Sequence, residues 1–269
     1  MKKSIVVVVL LATGWAFADT TEIPTDGVLG VLPVSAPDKT EVILSVPWVA
    51  VGNGGDIAVS NLVKTTGFTY GTDGVKLDLY DPDKDKGEGG YWSWNLVSNE
   101  TDNVVYWDDA NGKNPDVQCI KRGMALFLTR KEADTNNTIY IIGQVGSTAT
   151  VTNVIKGATN DGGKLVPSYT LIAPPCVTDN GYIGLNDSTV VTFIGGIDDG
   201  DEVTSDMIGQ LPYRYVRKTV EGQKKWVFLY NKTSTKAKVS NGRGFWYKRC
   251  SAEDLKVVWN APSVATPAE

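Results

Sequence analysis

Apolar and polar residues alternate in short runs along most of this chain. The runs at residues 40–46, 75–79, 91–97, 125–129, 138–142, 148–154, 190–194, 225–230 and 255–258 are rich in β-branched or aromatic side chains, and Gly, Asn, Asp or Pro bounds most of them. Alternation with a period of two puts successive side chains on opposite faces of a strand. No window of about 11 to 18 residues carries a sustained apolar period of roughly 3.6. Helix is therefore confined to single turns, such as residues 60–65 or 205–209. The pattern predicts an all-β fold, and many short, evenly spaced strands predict β-sandwich or jelly-roll-like units.

The second half of the chain echoes the first. Gly123-Met-Ala-Leu-Phe-Leu-Thr-Arg130 aligns without a gap to Gly242-Arg-Gly-Phe-Trp-Tyr-Lys-Arg249, and a polar turn and a further β-rich run follow each. Residues 44–47 match 171–174, residues 55–59 match 181–185, residues 76–80 match 213–216, and Trp92 or Trp94 matches Trp226. Matches kept in one order over about 100 residues predict an internal duplication into two tandem units. The predicted organisation is a signal peptide at 1–18, a leader at 19–39, a first β-domain at 40–146, a linker at 147–167, a second β-domain at 168–262 and a disordered tail at 263–269. The leader holds three prolines and little periodicity, the linker is polar and turn-rich, and the tail is rich in Pro and Ala.

Composition adds a compartment. Lys2 and Lys3 precede the apolar run at residues 4–13, and Ala16-Phe17-Ala18 is a small-x-small cleavage motif ahead of Asp19. The run is short for a spanning helix of roughly 20 residues, so a cleaved signal peptide is predicted. No cysteine follows the cleavage site, which argues against a lipoprotein. The chain is expected to be exported, to the periplasm, the outer surface or the extracellular space, with no transmembrane segment once mature. Loss of Lys2 and Lys3 takes the formal charge from −5 to −7. An acidic surface repels phosphate backbones, so no nucleic-acid partner is expected. Export permits disulfides, and three cysteines leave at least one outside an intrachain bridge. Cys176 and Cys250 are the predicted pair because both lie in the second half; burial of Cys119, Cys176 and Cys250 as small hydrophobes is the alternative.

The chain contains no histidine. Ser–His–Asp and Cys–His nucleophilic systems are excluded, as are His-ligated zinc sites. Carboxylate chemistry remains, such as glycoside cleavage by two carboxyl groups about 5 to 10 Å apart. With 31 acidic residues the sequence selects no pair, and no catalytic residue is assigned. Asp81-Pro-Asp83-Lys-Asp85-Lys-Gly87-Glu88 sets alternating carboxylates in a tight loop, the hard-oxygen pattern that calcium requires. Gly stands seventh rather than sixth, Trp92 stands twelfth, and the matching residues 217–224 lack the ladder, so a solvated turn is the plainer reading. No cofactor is expected, with calcium at Asp81, Asp83 and Asp85 as the alternative. The acidic run 198–202 reads as a hairpin turn.

Aromatic residues concentrate at Tyr91, Trp92, Trp94, Tyr106 and Trp107, and again at Trp226, Phe228, Phe245, Trp246 and Tyr247. They either pack a core or form flat platforms on which sugar rings stack. Trp92, Trp94, Trp226 and Trp246 are the candidate ligand-binding residues. Trp92 and Trp94 share a face and Tyr91 takes the other; among Phe245, Trp246 and Tyr247 at least one must turn away from the core. Arg130 and Arg249 occupy matching strand ends, where a shared structural ion pair is expected. Asn99, Asn136, Asn186 and Asn231 begin Asn-x-Ser/Thr sequons, which mark exposed loops when used.

The order of Leu44 and Pro47, Tyr80-Asp81, Trp94 and Val97, Arg122-Gly123 to Arg130, and Ile141 to Gln144 resembles that of uncharacterised exported β-proteins of the planctomycete–verrucomicrobial bacteria. The resemblance covers most of residues 40–146 and extends more weakly to the second half. It implies export and a β fold, and no activity. The function expected is that of a non-catalytic envelope or extracellular protein acting by binding or assembly, with polysaccharide or other envelope proteins as partners. The alternatives are a carbohydrate-binding protein, a carboxylate-based glycoside-active enzyme, and a self-assembling subunit with residues 20–37 as donor strand or tether.

Overall fold

The computed structural model describes residues 29–35, 41–50, 55–62, 75–81, 84, 90–99, 104–109, 114–130, 138–144, 150–178, 181–195, 199–205, 213–229 and 237–260. Residues 1–18, expected to be a signal peptide, residues 263–269, and Asn136 and Asn231 lie outside the described residues. The fold is all-β. In the first half run β1 (Leu29–Ser35), β2 (Glu41–Ser45), β3 (Ile57–Ala58), β4 (Val75–Asp81), β5 (Gly90–Asn99), β6 (Val104–Asp109), β7 (Cys119–Ile120), β8 (Ala125–Arg130) and β9 (Thr138–Gln144), with a single helical turn, α1 (Val59–Leu62). Then follow β10 (Thr150–Ile155), β11 (Thr159–Asp161), β12 (Lys164–Val166), β13 (Ser168–Ile172), β14 (Tyr182–Gly184), β15 (Val191–Ile194), β16 (Glu202–Ser205), β17 (Tyr213–Val220), β18 (Gln223–Phe228), β19 (Lys238–Ser240), β20 (Phe245–Arg249) and β21 (Leu255–Asn260).

Both halves carry a five-stranded antiparallel sheet, ordered β2-β8-β4-β5-β6 in one and β13-β20-β16-β17-β18 in the other. Each also has a short pair, β3-β7 or β14-β19, and a first strand paired to its last, β1 to β9 or β10 to β21. The inner face of each large sheet packs on these shorter sheets. Leu32, Val42, Leu44, Leu77, Trp94, Trp107, Leu126, Leu128 and Ile141 belong to the first core. Ile155, Ile172, Val203, Tyr215, Trp226, Phe245, Tyr247, Leu255 and Trp259 belong to the second.

The strand registers refine the sequence matches. Leu44 pairs with Leu126, whereas Phe245, the counterpart of Leu126, pairs with Ile172, so residues 44–47 align one residue later than 171–174. Strand order sets β4 against β16 rather than β17, and β6 against β18. Trp107, opposite Leu96, therefore stands where Trp226 stands opposite Arg217; neither Trp92 nor Trp94 does. The stretches 55–59 and 181–185 hold in register: Ile57 faces Ile120 and Ile183 faces Val239, each three residues before Gly123 or Gly242.

The run at 148–154 is a strand as expected, β10, whereas two stretches read as irregular also hold strands: residues 19–39 contain β1, and residues 156–167 contain the β11–β12 hairpin. The hairpin turns through Gly162 (φ 58°) and Gly163 (φ 86°), a pair of left-handed positions that suits a two-residue turn. All six of its strand residues are exposed. Its base is clamped, with Gly157 N donating to Asp254 Oδ1 at 2.8 Å and Ala158 N to the Ser251 carbonyl at 2.6 Å.

The halves meet through the outer faces of their large sheets. Ile43, Ala125 and Phe127 of the first pack with Leu171 and Ala173 of the second, joined by Tyr80 and Trp246. The contact is reciprocal, in the manner of a two-fold interface. Ser45 N donates to the Gly242 carbonyl at 2.9 Å, and its counterpart Ala173 N donates to the Gly123 carbonyl at 3.1 Å. Gly123 and Gly242 both adopt positive φ. Phe127 and Trp246, which share one strand position, contact each other at 5.8 Å between centroids. Arg122 Nε bridges the seam, donating to the Pro47 carbonyl at 3.0 Å and the Pro175 carbonyl at 2.7 Å. Gly244 is required at the closest approach, since a Cβ there would lie 2.5 Å from Ile43 Cγ2 and 2.8 Å from Ala125 Cβ.

Candidate functional site

Strand alternation decides which aromatics can meet a ligand. Trp94 and Trp226 are fully buried, each inside its own core, so neither offers a ring face to a sugar. This corrects their assignment as platform residues. Trp92 lies on the same inward face as Trp94 and packs against the first core. Its Nε1 donates to Asp81 Oδ2 at 2.9 Å, and Lys84 Nζ sits 4.3 Å from its ring centroid. Asp81 thus serves the indole. Asp83 and Asp85 lie outside the described residues. Among the described residues no group of three or more Cys, Asp or Glu is placed to hold a metal ion.

The predicted Cys176–Cys250 disulfide is absent, and both residues are free thiols, as is Cys119. Cys176 belongs to the second core, while Cys250 hangs at the end of β20 with Sγ 3.3 Å from the Gly200 carbonyl. Burial pushes both thiols up in pKa, and the Arg122 guanidinium only partly offsets this for Cys176. Cys119 is exposed. In the folded protein a soluble disulfide reagent should therefore modify Cys119 within minutes, whereas Cys176 should react only after denaturant is added. Mass mapping of the labelled peptides checks this, and a 176–250 crosslinked peptide would contradict it.

Trp246 is the one candidate tryptophan turned away from its core. Phe245, Tyr247 and Arg249 point inward, which leaves Trp246 and Lys248 on the seam face. The Trp246 ring packs edge-on against Tyr80, with centroids 5.2 Å apart. Tyr80 packs edge-on against Tyr91 at 5.4 Å, and Tyr91 against Phe127 at 5.8 Å. Tyr80 Oη lies 3.5 Å from the Tyr169 carbonyl. These rings form a strip that crosses from one half to the other. Tyr80 and Trp246 are half-buried, whereas Tyr91 is 38% exposed and Tyr169 53% exposed. Lys84 Nζ fixes the backbone beneath, donating to the Tyr91 carbonyl at 2.5 Å. Burial raises the phenol pKa of Tyr80 and Tyr91, as do the carboxylates Asp81 beside the first and Glu41 and Asp78 beside the second. Tyr80 and Tyr169 escape sequence reasoning because a tyrosine at a strand end carries no mark of the sheet that will cover it.

Among the described residues, several charges around the strip are paired. Lys76 Nζ meets Asp78 Oδ1 at 2.8 Å, and Ser93 Oγ donates to the same carboxylate. Across the seam, Glu202 takes Arg214 Nη2 at 2.8 Å and Lys248 Nζ at 3.2 Å.

The expected ion pair at Arg249 is present and fully buried. Its Nη1 meets Asp201 Oδ2 at 2.7 Å, with neither side chain exposed. Tyr247 Oη donates to the same oxygen at 2.8 Å, and Cys250 N donates to Asp201 Oδ1 at 2.8 Å. In the first half the backbone of Arg130 pairs with Val75, and the Arg130 side chain lies outside what is described. Asp201, inside the acidic run read as a turn, is therefore a structural residue. The sequon residue Asn186 is engaged as well. Its amide exchanges two 2.9 Å hydrogen bonds with the backbone of Trp226, imitating a neighbouring strand at the edge of the sheet.

No family model, curated protein or solved structure matches this chain.

Proposed function

We propose that this chain is an exported, non-catalytic protein of the envelope or extracellular surface, built from two duplicated sandwich-like units and acting by binding or assembly. The carrying observation is the aromatic strip from Tyr91 through Tyr80 to Trp246, with exposed Tyr169 beside it on β13, where the two units meet. Rigid amphipathic rings supply large contact area at little cost in side-chain entropy, which makes such strips suited to recognition. The matched strand order and reciprocal seam support the duplication. The basic, apolar and small-residue sequence of residues 1–18 supports export of the kind that the resemblance to planctomycete–verrucomicrobial proteins implies.

The test is tryptophan emission of the mature chain, residues 19–269, titrated with soluble polysaccharides with and without calcium, alongside sedimentation over a concentration series. A saturable shift with one class, or reversible self-association, is the expected result. Loss of the shift on chelation would bring Asp81, Asp83 and Asp85 into the site. A chain that neither responds nor associates would sink the reading.

A further inference from the structure

We propose that the strip formed by Tyr91, Tyr80, Trp246 and Tyr169 binds an uncharged glycan chain, an assignment that rests on the binding reading above. Three observations select this ligand class. First, the surface is aromatic and half-open: exposed Tyr91 packs on half-buried Tyr80, which packs on Trp246, and exposed Tyr169, whose carbonyl meets Tyr80 Oη, shares the seam face of β13 with Leu171. Apolar C–H faces of pyranose rings match such rings, while phenol hydroxyls reach sugar hydroxyls at the rim.

Second, four cations described near the strip are spent within the protein. Lys84 is held by the Tyr91 carbonyl and the Trp92 ring, Lys76 by Asp78, and Lys248 and Arg214 by Glu202. An acidic polysaccharide would find none of these cations unpaired. The chain as a whole also carries a formal charge of −5, which disfavours an anionic ligand. Third, Tyr91 and Tyr169 belong to different halves, on β5 and β13. A ligand that contacts both must extend across the seam, so a chain of several sugars is favoured over a single one.

The experiment is affinity electrophoresis of the mature chain through gels containing hydroxyethylcellulose, an uncharged glucan, or polygalacturonate, its acidic contrast. Hydroxyethylcellulose should retard the protein and polygalacturonate should not. Tyr91→Ala and Tyr169→Ala should each weaken retardation about fivefold or more, the effect of losing a contact worth over about 1 kcal/mol. Tyr169 lies on β13 in the other half, so its variant keeps the test alive if Tyr91→Ala unfolds. Tyr106→Ala removes an exposed ring on β6 and should change nothing. Undiminished retardation of the Tyr91 and Tyr169 variants would overturn the site while leaving a binding protein. Preference for polygalacturonate would overturn the ligand class. No retardation by either gel overturns the proposal; a response to another ligand in the fluorescence titration would then leave the broader reading standing.

Discussion

Asp201→Ala should lower the stability of the protein by about 3–5 kcal/mol, the range found when one partner of a buried pair is removed. The reason is what the substitution leaves behind. Arg249 would keep its charge in a site with no solvent exposure, and the Cys250 amide and the Tyr247 phenol would lose their shared acceptor. Against a typical total of about 5–15 kcal/mol, such a loss shifts the urea midpoint far to the left. Combining Asp201→Leu with Arg249→Met should recover much of the loss, because an apolar pair of similar volume carries no stranded charge. If Asp201→Ala proved neutral, the network would not be holding β16 to β20.

The same cluster gives a sign for alkaline pH. Burial first, and the Asp201 carboxylate second, push the Tyr247 phenol well above its ordinary value near 10. The folded state then holds this proton more tightly than the unfolded state. Its contribution is fully present below about pH 10 and falls as pH rises further, by about 1.4 kcal/mol per unit. Tyr247→Phe should flatten that fall relative to wild type, measured as unfolding free energy across the alkaline range.

Gly244→Ala should be the most disruptive single-carbon change at the seam, costing about 1–3 kcal/mol through overpacking. The added methyl meets Ile43, Ala125 and, at 3.1 Å, the backbone carbonyl of Ile172, which cannot rotate away. Ala125 holds the matching position on β8, so Ala125→Gly should restore part of the loss by removing one of the three clashes. Denaturant unfolding of the two single variants and the double variant forms a cycle with a favourable coupling term. Strict additivity would mean that the halves do not touch at this point.

Much of this architecture is legible in period-two alternation. Alternation requires that one of Phe245, Trp246 and Tyr247 turn away from the core, and the structure turns out Trp246; likewise Tyr91 opposes Trp92 and Trp94. Other features escape for physical reasons. β1 is hidden by Pro33, a residue that reads as a strand breaker but is tolerated because, among the described residues, β1 pairs on one side only, with β9. β6 ends in Asp108-Asp109, charges that a sheet accepts at its margin. Tryptophan carries no sequence label for inside or outside, so Trp94 and Trp226 could not be separated from Trp246 before the sheets were placed. Arg249 and Asp201 lie 48 residues apart, and nothing local in either announces the other.

The β11–β12 hairpin also offers a handle. A Cβ at Gly162 or Gly163 would meet nothing within 4 Å, and among the described residues the arm is anchored at its base. A biotin-acceptor peptide spliced between these two glycines would leave every sheet register intact. The protein could then be moored to a sensor chip at one chosen point, with neither terminus modified and every copy facing the flow in the same orientation.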